Sequence, residues 1–213
     1  MNNRIITLKN KPKILSFAAV AGKKEAQGPL FNLFDTVYED TKMGADSWEK
    51  AESLLHKNAI KTALKKGNLR QEDVDVIFAG DLLNQCTGSS FGIKDFGIPF
   101  AGVYGACSTM ALSLCMAAMS VDSGYCNTAV AATSSHFCSA EKQFRKPLEY
   151  GGQRPPSAQW TVTGAGSAVV SKTAHQSAPK IEKIAIGKIC DLGITDANNM
   201  GAAMAPVDVK IEP

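Results

Sequence analysis

Apolar and polar positions along this chain follow two periods, and the changes between them divide it into elements. Lys13–Gly22, KILSFAAVAG, is a nearly continuous apolar run closed by glycine and reads as a buried strand. Residues 25–40, EAQGPLFNLFDTVYED, follow neither period and are broken by Gly28-Pro29, which predicts irregular chain. Ala51, Leu54, Leu55, Ala59, Ala63 and Leu64 then recur at helical spacing. Ser47 stands at the N-cap of this helix and Gly67-Asn68 stop it. His56 lies beside the apolar stripe and is expected to face water. Val76 to Ala79 form a short apolar run, the pattern of a strand buried on both faces, and Gly80-Asp81 close it. Residues 89–96 read as a helix ended by Gly97, and residues 98–105 as a strand. Residues 106–123 form a long helix that is apolar nearly all round, which predicts burial on every side. Gly124 closes it, and TAVAATSSH is a further strand ending at Ser134, Ser135 and His136. Residues 139–160 are polar and rich in Gly and Pro, a loop of the length that is usually functional or disordered. Two more strands are predicted within residues 160–173 and 180–195.

Strands alternating with helices predict an α/β fold, a mostly parallel sheet with helices on both faces. The 213 residues suffice for one large domain or two small ones. No run reaches the ~18 consecutive apolar residues of a membrane span, which points to a soluble or peripheral protein. The net charge is +3 and the basic residues are scattered, so no nucleic-acid partner is expected. The N-terminus has a basic lead, a short apolar run and Ala19-Val20-Ala21, the outline of a signal-peptidase site. The run is short and Lys23-Lys24 follow closely, so a buried first strand is the reading taken. The six cysteines include no C-x-x-C pair, which argues against zinc. A chain of this length needs no disulfides, and the thiols are read as reduced and intracellular.

Candidate chemistry centres on YGACSTM. Cys107 follows a strand and opens a helix, where unpaired N–H groups and the positive end of the helix dipole meet. That field lowers a thiol's pKa and favours an oxyanion or carboxylate. Gly105 would permit the sharp turn, in the manner of a nucleophile elbow with cysteine in place of serine. His136, at a neighbouring strand end, could reach the same sheet edge as a base, or be a satisfied structural residue. Asp81 could serve a ligand at the strand's C-terminal end, or cap the next helix. Arg145 in the long loop could meet an anion.

AGDLLNQ, YGACSTM, AATSSH, AEKQFRKPLEYGGQRPPSAQWTVTGAG and DLGITDANNMGAAMAP together resemble the stage V sporulation protein AD family of spore-forming Firmicutes, over about residues 20–206. The resemblance implies a thiolase-like fold, with residues 1–206 as one βαβαβαββ half and residues 207–213 at the junction where a second half would begin. It implies a non-catalytic sporulation protein that binds dipicolinic acid, with or without calcium, and supports its uptake into the spore. It places the protein at the periphery or cytoplasmic side of the spore inner membrane, with membrane-embedded proteins of the same operon as partners. Cys107 matches the thiolase nucleophile, here expected to line a ligand pocket with Ser135, His136 and Arg145, with Asp81 and Gln85 as further candidates and calcium the natural ion for a carboxylate there. A cysteine-dependent acyltransferase is the competing reading. No resident metal or cofactor is expected, and a homodimer or a complex with a second thiolase-like half is.

Overall fold

The computed structural model describes residues 5–144, 161–187, 193 and 195. Thr7–Ile184 form one compact unit; a second unit comprises the chain ends. The strands and helices are β1 (Ile5–Thr7), β2 (Lys13–Gly22), β3 (Thr36–Tyr38), α1 (Trp48–Lys66), β4 (Val76–Gly80), α2 (Thr87–Ile93), β5 (Phe100–Gly102), α3 (Thr109–Ser123), β6 (Thr128–Ser135), α4 (Phe137–Phe144), β7 (Gly164–Ser171) and β8 (Lys183–Ala185). The six-stranded sheet has the order β3-β2-β7-β6-β4-β5. Its strands run parallel except β7, which is antiparallel to both β2 and β6. β1 and β8 form a separate two-stranded sheet.

Helices cover both sheet faces, and the pleat decides which residues meet which helix. Ile77, Val130, Ala132 and Val169 pack against Ile60, Ala63 and Leu64 of α1. Their neighbours Phe78, Ala129, Ala131 and Val170 pack against Ala117 and Val121 of α3. The central strands are buried on both faces, hence their unbroken apolar runs. Local signals place α1 as expected. The Ser47 hydroxyl accepts from Lys50 N at 3.2 Å, and Gly67 N–H donates back to the Ala63 carbonyl at 3.0 Å. Glycine at 67 also leaves room for Ser16, whose hydroxyl donates to that same carbonyl at 2.7 Å.

Four expectations are corrected. The segment 25–40 is not wholly irregular: Thr36–Tyr38 add a short parallel strand beside Val20–Gly22. The strand expected over 98–105 is only Phe100–Gly102, because the chain then turns over the sheet edge. The polar stretch from 139 starts inside a helix, α4, and residues 145–160 lie outside the described residues. The helix α3 is not buried all round. Thr109, Ser113, Ala117 and Val121 seat it on the sheet at i, i+4 spacing, whereas Ala111 and Met116 are exposed. Phe17 of β2, on the same sheet face, is 61% exposed. By length and composition alone Ala106–Ser123 would suffice to cross a membrane, and 28% of that stretch is buried, along the face that seats on the sheet. Of the expected domain limits, residues 196–213 lie outside the described residues.

Candidate functional site

The parallel strands β4, β5 and β6 all end at one edge of the sheet, and the candidate residues gather there. Val103 prolongs β5 alongside β4, its N–H donating to the Ala79 carbonyl at 2.9 Å. The chain then passes over Gly80, where a Cβ would lie 1.9 Å from the Val103 oxygen. Only glycine admits this crossing. The elbow is closed by its own hydroxyls. Ser108 Oγ donates to the Gly105 carbonyl at 2.7 Å, and Thr109 Oγ1 donates to the Ala106 carbonyl at 2.8 Å. The strained residue is Ala106, at φ +47°, and not Gly105, at φ −135°. Gly105 is needed for space instead, since a Cβ there would lie 2.6 Å from Ser108 Oγ. Cys107 follows Ala106 in a single 3-10 turn ahead of α3, with its side chain exposed. An accessible thiol on a strained turn at a helix head fits the elbow predicted from YGACSTM.

A second strained turn stands beside it. Gln85 and Cys86 have φ of +60° and +52°. Cys86 Sγ donates to the Val103 carbonyl at 3.5 Å, and Tyr104 Oη reaches back to the Leu82 carbonyl at 3.4 Å. These contacts lock the β4–α2 and β5–α3 turns together. Burial, with the nearby Asp81 charge, raises the Cys86 pKa and keeps it a thiol. Gln85 is exposed at the tip of its turn.

Asp81 is 1% exposed, and its oxygens are taken by the protein. Oδ1 accepts from Leu83 N at 2.8 Å, and Oδ2 accepts from both Ser89 N at 2.6 Å and Ser89 Oγ at 2.5 Å. Ser89 lies in the first turn of α2, so the capping alternative is the one realised. No cluster of three metal-ligating side chains occurs among the described residues.

His136 does not face Cys107. Along β6 the even-numbered residues Val130 and Ala132 face α1, and the register continues through Ser134 to His136. Its ring is 1% exposed and stacks on Trp48 of α1 with centroids 5.3 Å apart. Nε2–H donates to the Thr41 carbonyl at 2.8 Å, and Nδ1 accepts from Cys138 N at 3.1 Å. Burial lowers its pKa and keeps the ring neutral. Both nitrogens are occupied, so the structural reading holds for His136. Ser135 lies on the α3 face with Cys107, and its hydroxyl donates to the Val162 carbonyl at 2.5 Å. Arg145 lies outside the described residues.

Sequence reasoning missed a buried polar cluster on the α1 face. His56, expected to face water, is fully buried, as is Glu52 one turn earlier. Ser139 Oγ donates to Glu52 Oε2 at 2.6 Å, and Ser134 Oγ to Oε1 at 3.3 Å. His56 Nδ1 bonds Ser134 Oγ at 2.9 Å. Burial, aided by the charge of Asp81, pushes Glu52 up to about 7, while burial pushes His56 down to about 4. The signal was present: residues 52, 56 and 60 share one helical row, and Ile60 is core.

The mixed sheet between α1 and α3, with a cysteine elbow at its parallel strand ends, defines a thiolase-like half. Solved structures agree at the level of fold. 3-Oxoacyl-[acyl-carrier-protein] synthase III from Aquifex aeolicus VF5 superposes with TM-score 0.53 at 16% identity, covering 78% of this chain and 55% of that one. OleA from Xanthomonas campestris superposes with TM-score 0.52 at 13% identity, covering 78% and 57%. Within that class the chain belongs to the stage V sporulation protein AD family, whose model matches residues 2–211. The stage V sporulation protein AD of Bacillus subtilis (strain 168) is 46% identical over 191 residues, 90% of this chain and 56% of the relative. The chain thus spans a little over half the length of that curated relative.

Proposed function

We propose that this sporulation protein is a ligand-binding component, not a catalyst, and that its ligand is dipicolinic acid, a flat dianion moved into the developing spore. The observation that carries the non-catalytic half of this reading is His136. A thiol nucleophile needs a base to take its proton. The histidine nearest in the sheet order is turned to the opposite face, with both ring nitrogens bonded. What remains at the edge suits binding. Cys107 stands exposed at the head of α3, with Ser135 on the same face. Backbone donors of the helix head favour a carboxylate. Arg145 is the cationic candidate for the second carboxylate, and calcium is an accompanying ion carried by the ligand.

The exposed apolar side of α3, with Ala111 and Met116 on it, supports a partner on that face. A second thiolase-like half, either another chain or a second copy, is the expected occupant. Membrane-embedded proteins of the same operon complete the proposed assembly at the spore inner membrane.

Calorimetric titration with dipicolinate, with and without calcium, tests the reading. Saturable binding that weakens in Cys107→Ser and in Arg145→Ala is expected. No heat of binding in a folded sample, or unchanged affinity in both variants, would sink the pocket. A cysteine acyltransferase is the alternative favoured by the elbow, and stoichiometric labelling of Cys107 by acyl-CoA would support it.

A further inference from the structure

Residues 28–34, GPLFNLF, lie between β2 and β3 and carry no charge. Leu30, Phe31 and Leu33 are 57%, 58% and 68% exposed. Three large apolar side chains among four consecutive residues, all left in water, make a patch without its counterpart. The segment is held in place by backbone bonds. Gly28 N–H donates to the Glu25 carbonyl at 3.0 Å, and Leu33 N–H to the Leu30 carbonyl at 2.9 Å, closing two successive 3-10 turns. Phe17, also exposed, is joined to the segment through Lys66, whose Nζ lies 2.8 Å from Asp35 Oδ1 and 4.9 Å from the Phe17 ring centroid. The charges on either side are sorted. The carboxylates are bonded back to the protein: Glu25 Oε1 accepts from Thr163 N–H at 3.0 Å, and Asp35 Oδ2 from Ala19 N–H at 3.0 Å. Lys23 and Lys24 are exposed. Lys23 pairs at 3.6 Å with Glu39, itself on the surface, and such a pair exchanges readily for another anion.

We propose that residues 28–34 form a lipid-contact loop, in which Leu30, Phe31 and Leu33 enter the interface of an anionic bilayer while Lys23, Lys24 and Lys66 meet its headgroups. An apolar tip supplies the inserted area and a cationic flank supplies the attraction to anionic lipid, and an interfacial contact uses both. Two observations favour a bilayer over a protein partner. The apolar side chains stand on a short turn and do not line a groove, and insertion asks for no complementary shape. The flanking cations are all lysines, compact charges on flexible stems that can follow mobile headgroups, whereas a fixed carboxylate on a partner favours the planar fork of arginine. The position suits the rest of the molecule. β3 is one edge strand of the six-stranded sheet and β5 the other, so a contact at β3 lies at the opposite edge from the strand that leads into the Cys107 turn. The assembly proposed above relies on membrane-embedded proteins. This contact is with the lipid itself, and it stands or falls separately from that assembly and from the dipicolinate reading.

Flotation of the full chain with vesicles tests it, comparing phosphatidylcholine alone with a phosphatidylcholine–phosphatidylglycerol mixture. Binding to the anionic vesicles that weakens with added salt is expected. Phe31→Ser/Leu33→Ser should lower the partition coefficient about tenfold or more. Lys23→Gln/Lys24→Gln should lower it about tenfold on the anionic vesicles only. Tyr125→Ser, which removes an exposed ring elsewhere on the surface, should bind as wild type does. No binding of wild type to anionic vesicles, or equal binding by wild type and Phe31→Ser/Leu33→Ser, overturns the proposal. Sedimentation of the same samples identifies the other occupant: wild type that ignores vesicles but self-associates, and loses that association in Phe31→Ser/Leu33→Ser, makes the patch a contact between copies and refutes the lipid contact. Should the double variant fail to fold, hydrogen exchange of wild type decides. Anionic vesicles are expected to protect residues 30–34 selectively, and unchanged exchange there refutes the proposal.

Discussion

The crossing of the elbow over Gly80 can be tested by one methyl group. In Gly80→Ala the new Cβ would fall 1.9 Å from the Val103 carbonyl oxygen and 2.8 Å from Thr109 Cγ2. Real Cβ contacts do not go below 3.0 Å, so the carbonyl must retreat by more than an ångström. It is backbone, and its own residue is tied to Ala79 by the 2.9 Å bond that prolongs β5. Overpacking of this kind costs about 1–3 kcal/mol. Losing the Val103–Ala79 bond adds about 1 kcal/mol. Against this, replacing glycine by alanine gains about 0.4–1 kcal/mol through the unfolded chain. The net expectation is a loss of about 1–4 kcal/mol, combining those three magnitudes. Urea denaturation measures it. Gly166→Ala is the control, because its Cβ meets nothing within 4 Å, and it should be neutral or slightly stabilising. The same displacement carries the Ala106–Ser108 turn with it, so the native-state reaction rate of Cys107 with a disulfide reagent should change in Gly80→Ala but not in Gly166→Ala. Equal stability in the two variants would refute the close crossing.

Other outcomes follow from the same geometry. Stability should have a flat region in pH from the Glu52–His56 pair. Between their ordinary values of 4.5 and 6.5, unfolding passes one proton from Glu52 to His56 with no net release. Above that window the folded chain holds the extra proton, and stability falls as pH rises through about 7; below it the unfolded chain does, and stability falls as pH drops through about 4. Denaturation midpoints across pH check this, and His56→Phe should remove the acid-side slope and turn the flat region into a continuation of the other, stability then falling with rising pH from about 4.5 to about 7. Ser47→Ala removes the α1 cap and should cost about 1 kcal/mol by urea denaturation. Met116→Lys on the exposed side of α3 should leave the fold intact and weaken self-association or capture of a second half, read by sedimentation.

The strands and helices were legible where one physical cause dominates. The buried runs of β4 and β6 have no polar alternation because α1 and α3 cover both faces, whereas β2 is covered by α1 and leaves Phe17 exposed on its other face; Ser47 and Gly67 mark α1 through local hydrogen bonds alone. The same uniformity hid the site. TAVAATSS is nearly all small residues, so nothing in it says which residues face α1 and which face α3. His136 could be assigned to Cys107's side only by ignoring that parity. β6 pairs Val130 with Ile77, and both pack on α1; counting forward by twos puts His136 there too. His56 was lost for a related reason. A polar residue beside an apolar stripe is read as solvated, yet the stripe of α1 is wide, since β7 and the ends of β2, β6 and α2 all pack against it. A wide stripe buries the 52–56–60 row along with the 51–55–59 row. Once that row is buried, Glu52 and His56 must be neutral or paired. The serines at 134 and 139, unremarkable in sequence and separated from them by some eighty residues, are what make that neutrality possible.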